Sequence, residues 1–569
     1  MKDYLLNYSP ELTNVRDYID FIETTYGEDT AFSYRIKPRD EEIKKVSFIK
    51  LAKHTRYLAA ALIERGFIGK RVAVIGKLTY GWVNTYLSLL YAGIVAVPLD
   101  PDWSIEDLIE TMKISECDAL FCGAETAKNK AAALKEALGL ELVVAMDDVD
   151  DAGICDIALT ELRKEGKPVY KNDPAMFDNY ELDVDALALL VFTSGTTGKG
   201  KGVMLSQKAI FLDITSGMQL VSVSKKTIGA LPPHHTFGST VGIIGNLLVG
   251  SEIYITSGIK YISKEIKEQR PGHLILVPLY VEAFYRKIMT NAKESGRDKK
   301  LFRAMKISDT LSKVGIDLRR RFFKTVLDAF GGELHTIISG GAPMNQEIID
   351  TFRSIGVTIL NGYGITECAP LIAVNRNKYY RDGSIGRIVP IADVKINEPD
   401  ENGEGEIFVK GPNVMMGYYK DDEATAAAFD EDGYFKTGDY GRIDEEGFLY
   451  ITGRLKNLII LSNGKNVYPE EIEQELAKAP GIADVVVYEG ISRRGSDHNA
   501  IVAEIYADEE FMKQNGIEDK YEYFKPFINE FNRTCVPYKK IGLLKIRDEE
   551  FKKNTLRKIT RFNIDKTID

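Results

Sequence analysis

Apolar residues fall into two alternating textures along most of the chain. Short unbroken runs such as Arg71-Val-Ala-Val-Ile75 predict buried strands, and amphipathic spacing, with apolar positions at Ile49, Leu51, Leu58, Ala61 and Leu62, predicts helices. The pattern predicts helices over 17–32 and 47–66, then a strand over 71–76, a helix over 81–93 and a strand over 94–99, which together make a βαβ unit. Residues 104–115, 119–122, 128–138 and 141–146 repeat the alternation. It resumes with helix 206–221, strand 227–230, helix 242–249, strand 251–256, strand 273–277, helix 279–290, a helical stretch over 297–329 and strand 334–339. Strands and helices in repeated alternation predict doubly wound, mostly parallel sheets.

From Ile385 the texture changes. Short alternating segments separated by Asp400-Glu-Asn-Gly403, Asp430-Glu-Asp-Gly433 and Asp444-Glu-Glu-Gly447 predict hairpins and a small β-structure. Beyond Gly453 a third texture begins, with a helix over 470–479, strands near Val485 and Ile501, and a helix over 521–534. The expected fold class is α/β: a large N-terminal domain of doubly wound sheets plus a small β-structure, residues 1–454, followed by a small α+β domain, residues 455–569.

A length of 569 residues fits two to four structural units rather than one core. The net charge of −10 argues against nucleic acid as a bulk partner. Five cysteines without metal spacing, and six histidines that never pair as a zinc helix motif requires, fit a reducing cytoplasm. The first residues lack the build of a signal peptide, and the longest apolar stretch, 241–250, is too short to span a bilayer. No transmembrane segment is expected, and peripheral contact with a membrane stays compatible with this pattern. The basic stretch 297–329 reads as a solvated face.

Chemistry concentrates in Val191-Phe-Thr-Ser-Gly-Thr-Thr-Gly-Lys-Gly-Lys-Gly202, at the end of an apolar run. Four glycines, four hydroxyl side chains (Thr193, Ser194, Thr196, Thr197) and two lysines suit a loop that brings N–H groups, hydroxyls and cations to phosphate oxygens. Gly195-x-x-x-x-Gly200-Lys201 matches most of a Walker loop, but Gly202 stands where that loop needs Ser or Thr for magnesium.

Five further motifs follow in order: Asn361-Gly-Tyr-Gly-Ile-Thr-Glu367, Phe435-Lys-Thr-Gly-Asp439, Gly453-Arg-Leu-Lys456, Leu461-Ser-Asn-Gly-Lys-Asn-Val-Tyr-Pro-Glu-Glu-Ile472 and Asn554-Thr-Leu-Arg-Lys-Ile-Thr-Arg561. With the glycine-rich loop, they make the chain resemble the adenylate-forming (ANL) superfamily of acyl-CoA synthetases, acyl-adenylating domains and luciferases. The wording Ser462-Asn-Gly-Lys-Asn-Val-Tyr-Pro-Glu-Glu471 resembles the long-chain fatty acyl-CoA synthetases most closely.

The resemblance implies ATP, Mg2+ and coenzyme A, with a carboxylic acid as substrate, and a small mobile C-terminal domain that rotates about Lys456 between two half-reactions. It implies that Thr193, Ser194, Gly195, Thr196, Thr197, Gly198 and Lys199 hold the β- and γ-phosphates. Gly341, Ala342 and Pro343 would meet the adenine edge, Tyr363 and Gly364 its face, and Thr366 the α-phosphate. Glu367 would bind magnesium, and Asp439 and Arg454 the ribose. Lys558 would stabilise departing pyrophosphate, with Lys553 as the alternative, and His235, next to His234, would line the acyl entrance. The implied activity is ATP-dependent acyl-CoA synthesis through acyl-AMP. Alternatives are transfer to an acyl carrier protein, a luciferase-like oxygenase and a non-catalytic adenylate-binding protein.

Overall fold

Leucine and β-branched runs pair into three sheets in the larger of two compact units, Met1–Asp393 with Val409–Phe435. The structure, a computed structural model, describes residues 9–147, 155–193, 200–461, 466–495, 499–553, 559–561 and 564–568. Its eight-stranded sheet runs, in spatial order, Gly417–Tyr418, Lys201–Ser206, Leu187–Thr193, Val95–Leu99, Arg71–Ile75, Ala119–Cys122, Leu142–Ala145 and Ile157–Ala158. The strands from Leu187–Thr193 onward pair in parallel, and Lys201–Ser206 returns antiparallel along Leu187–Thr193. Helix Tyr80–Tyr91 is buried on all sides, which explains why its sequence is apolar or uncharged all round rather than striped.

A four-stranded sheet joins Lys226–Gly229, Glu252–Ile255, Thr30–Tyr34 and Lys44–Ser47. A further set of strands positions the candidate site. His273–Leu276, Thr336–Gly340 and Thr358–Gly364 run parallel, and Leu371–Val374 returns antiparallel beside the last of them.

Two local expectations differ from the structure, and one helix was not expected at all. The helix expected over 17–32 stops at Tyr26, where Gly27 with φ 49° caps it, and Thr30–Tyr34 instead pairs with Glu252–Ile255 more than two hundred residues away. No local period reports such a partner. The helix expected over 242–249 starts earlier, as a π-helical stretch Phe237–Gly245 followed by Asn246–Leu248. Its glycines permit close packing: a Cβ on Gly238 would stand 2.1 Å from the Pro232 carbonyl oxygen, and one on Gly245 2.7 Å from Ile214. Helix Leu159–Asn172 had no expectation, because Pro168 interrupts it and only Leu159, Leu162 and Gly166 are buried.

The smaller unit comprises Val394–Phe408 and Lys436–Asp569. Strands Phe435–Ile443 and Phe448–Arg454 form an antiparallel pair that sets Asp439 opposite Arg454. A three-stranded sheet, Ile482–Gly490, Ala500–Ala507 and Leu543–Arg547, packs against helices Pro469–Leu476 and Lys520–Thr534 through Ile472, Val485, Val487, Ile505 and Phe524. The expected Asp-x-x-Gly turns share one chemistry. In each, the glycine N–H donates to the aspartate carbonyl (2.9, 3.1 and 2.8 Å at Gly403, Gly433 and Gly447) with φ near 77°. The aspartate Oδ1 accepts from two further N–H groups in the same turn. Among the described residues no helix is long and apolar enough to cross a membrane.

Candidate active site

In the larger unit the stem of the glycine-rich segment and the carboxylate of Glu367 are linked by one tyrosine. Thr193 closes its strand directly opposite Lys201. Gly200 is required at this stem, since a Cβ there would lie 2.6 Å from the Thr193 carbonyl oxygen. Lys201 places its ammonium 4.5 Å from the centre of the Tyr418 ring, and Tyr418 lies beside Val203 in the neighbouring strand. The Tyr418 hydroxyl donates to Glu367 Oε1 at 3.1 Å. Burial first, and the Glu367 charge second, push the phenol well above its ordinary range, so it stays a donor at any physiological pH. Ser194, Gly195, Thr196, Thr197, Gly198 and Lys199 lie outside the described residues.

Glu367 owes its place to a tight turn. Strand Thr358–Gly364 carries buried Tyr363 and ends at Gly364, where a Cβ would lie 2.1 Å from the Pro370 carbonyl oxygen. The Ile365 N–H donates to that same oxygen at 2.8 Å, and the chain then makes the 3-10 turn Thr366–Cys368 with Thr366 and Glu367 half-exposed. Met415 N–H donates to the Glu367 carbonyl at 2.8 Å, fixing the turn from outside.

Beneath the turn lies fully buried Asp213. Its Oδ2 accepts from Leu371 N–H at 3.1 Å and its Oδ1 from the Asn413 amide at 3.2 Å, while the same amide donates to the carbonyls of Leu371 and Cys368. Burial raises the Asp213 carboxyl well above the usual carboxylate range, against the two hydrogen bonds that favour its charged form.

The Gly340 end of its strand lies beside Gly362, and the Phe237 ring approaches to 3.2 Å from where a Gly340 Cβ would stand. That contact brings the His235 segment to the strand ends from which Gly341, Ala342 and Pro343 follow. His235 is half-exposed, and its carbonyl accepts from Ser239 N–H at 2.9 Å. His234 is the buried member, its ring centre 4.3 Å from that of His235, and burial pushes its pKa down to about 3. His234 therefore stays neutral although Asp100 lies 3.6 Å away.

In the smaller unit, Asp439 is 2% exposed and Arg454 Nε meets its Oδ1 at 2.8 Å. Gly438, with φ 69°, sends its N–H to Glu406 Oε1 at 3.1 Å, and Asp439 N–H goes to the Thr437 hydroxyl at 3.0 Å, so the backbone around the carboxylate is fixed on both sides. Lys456 is exposed in the short turn Leu455–Asn457. Lys558 lies outside the described residues. Lys553 is half-buried and bound by Asp484 at 2.7 Å and Glu550 at 2.8 Å.

Sequence reasoning passed over Tyr418, Asp213 and Asn413. Asp213 carried a readable signal, since it is the sole acid in the apolar helix Gln207–Met218. Tyr418 carried none, being one of two adjacent tyrosines, and only strand pairing selects it.

The model for AMP-binding enzymes matches residues 22–419. The chain is 30% identical over 472 residues to the long-chain-fatty-acid–CoA ligase FadD15 of Mycobacterium bovis, covering 78% of this chain and 75% of that protein. It is 29% identical over 541 residues to long-chain-fatty-acid–CoA ligase 6 of Rattus norvegicus, covering 87% and 74%. Its fold is similar to that of the ATP-bound MatB structure from Rhodopseudomonas palustris, with a TM-score of 0.73 at 22% identity over 96% of this chain and 97% of that one. The chain belongs to the AMP-binding enzyme family, within the adenylate-forming superfamily, and is related to fatty-acyl-CoA and other acid–CoA ligases.

Proposed function

We propose that this ATP-dependent acid–CoA ligase of the adenylate-forming superfamily activates a fatty acid. A carboxylate oxygen bonds to the α-phosphorus of ATP and the bond to the β-phosphate oxygen breaks, giving acyl-AMP and pyrophosphate. The CoA thiol, on losing its proton, then bonds to the acyl carbon and AMP leaves. The likeness to two long-chain fatty-acid ligases along most of the chain carries the choice of acid. The apolar π-helical segment Phe237–Gly245, reaching the strand ends beside His235, supports it as a wall for a hydrocarbon chain.

The first step joins two anions, so positive charge and hydrogen-bond donors are its main requirement. In this reading Thr193, Ser194, Thr196, Thr197, Lys199 and the Gly195 and Gly198 N–H groups hold the terminal phosphates, and Thr366 meets the α-phosphate. Gly341, Ala342, Pro343, Tyr363 and Gly364 frame adenine, while Asp439 and Arg454 hold the ribose. Glu367 suits Mg2+: it is a half-exposed hard oxygen donor that accepts from a neutral hydroxyl, and magnesium takes one or two carboxylates with phosphates and water. When bound, that ion neutralises phosphate charge. Lys558 steadies the pyrophosphate oxygen as it departs, and Lys456 is the hinge at the 454–456 boundary about which residues 455–569 turn to admit the thiol. Cytoplasmic location belongs to this proposal.

ATP–pyrophosphate exchange over saturated fatty, aromatic and amino acids tests the substrate class, and comparison of CoA with a phosphopantetheinyl carrier protein tests the acceptor. Fatty acids and CoA are expected to prevail. Exchange led by an aromatic acid would replace the fatty-acid reading, and exchange with no acid would remove the activity.

A further inference from the structure

We propose that the larger unit carries a second ligand site, remote from the candidate active site, for a single-chain anionic amphiphile. A cavity of about 400 Å3 lies among helices Ile262–Gln269, Pro278–Glu294, Asp298–Lys313 and Lys324–Asp328. Its walls include Phe284, Ile288, Leu301, Phe323, Val326 and Phe330, all buried or half-buried. The volume is within the range of small-molecule sites. The space opens to solvent and leaves hydrocarbon surface in contact with water, which the tail of a ligand would cover.

The charge around it selects the ligand. Lys287, Arg297 and Lys300 line the same cavity, all three are exposed, and no acidic residue lines it, although the whole chain carries a net charge of −10. Three cationic residues and no carboxylate are among the lining groups, with Asn291 and Ser295. An anionic head at the mouth would be attracted by these charges, and an alkyl tail would cover the apolar interior.

The site lies away from the proposed chemistry. Helix Pro278–Glu294, about 25 Å long, starts just after the C-terminal end of strand His273–Leu276 and lines the cavity only from Phe284 onward. Phe330 precedes strand Thr336–Gly340. The cavity therefore sits towards the N-terminal ends of these parallel strands, whereas Gly341 and Tyr363 occupy the C-terminal ends. A head group at Lys287 and Lys300 is not at the strand ends where the acid would be activated, so this inference does not depend on the substrate being a fatty acid.

Calorimetric titration of the full chain with monomeric dodecyl phosphate tests the site. One molecule is expected per chain at this site, undisplaced by ATP with a saturating carboxylic acid. Lys287→Glu with Lys300→Glu, both at exposed positions, should weaken it at least tenfold, and Ala304→Trp, which fills the cavity, should abolish it. Neither variant should change pyrophosphate exchange, and the charge reversal should not weaken dodecyltrimethylammonium. Displacement by the acid, unchanged affinity in the charge-reversed protein, or binding only to phosphatidylcholine vesicles containing phosphatidate would each overturn the proposal.

Discussion

Two carboxylates, one in each unit, are held in opposite ways. Glu367 is half-exposed and receives a hydrogen bond from the neutral Tyr418 hydroxyl, whereas Asp439 is almost wholly buried and meets the charged Arg454. A neutral donor leaves most of a carboxylate's charge available to a further cation. A guanidinium compensates it, and removing that partner would leave the buried carboxylate without its counter-charge. The first arrangement suits the metal-binding role proposed for Glu367, the second the ribose-binding role proposed for Asp439.

Substitutions can break or sharpen this contrast. The largest effect is expected from Lys558→Ala, which should lower adenylate formation about 10²- to 10³-fold while thioester formation from supplied acyl-AMP persists; equal loss in both steps would end its assignment. Next, Glu367→Gln should reduce pyrophosphate exchange by about 10² and raise the Mg2+ concentration for half-maximal rate, with little change in nucleotide affinity. Asp439→Ala should do the reverse, raising KM for ATP about tenfold or more with an unchanged Mg2+ requirement, as expected for losing hydrogen bonds to a charged group worth about 1.5–3 kcal/mol each. If both variants moved the same parameter, the contrast would be wrong. Tyr418→Phe should resemble Glu367→Gln in kind but cost only severalfold in rate, because a neutral hydrogen bond contributes about 0.5–1.5 kcal/mol.

The smallest effect on turnover belongs to Asp213→Asn, whose readout is stability. A carboxyl whose pKa is raised in the folded state binds an extra proton there, so its contribution is complete below the ordinary value of 3.8 and is lost as pH rises through the raised pKa. Urea midpoints of the native protein should therefore fall across that interval more steeply than those of Asp213→Asn. Parallel curves would mean that Asp213 is charged in the fold.

The alternating sheets of the larger unit were legible because buried parallel strands show as unbroken apolar runs, as in Val72–Ile75 and Leu120–Cys122. The Asp-x-x-Gly turns were legible because one aspartate and one glycine carry all their geometry. Contacts between distant segments were not: Thr30–Tyr34 finds its strand partner at Glu252–Ile255, and Tyr418 is tied to Lys201 and Glu367, through spacings that no local period encodes. Asp213 was the intermediate case, an acid out of place in an apolar helix whose partner Asn413 lies two hundred residues on.

Phe237 resting where Gly340 has no side chain also has a mechanical meaning. The segment proposed to meet the hydrocarbon and the strand leading to the loop proposed to meet the purine share one van der Waals surface, so neither can shift without pressing on the other. An extra methyl group at position 340 would act as a wedge, felt first in which acids fit and only then in how nucleotide is held.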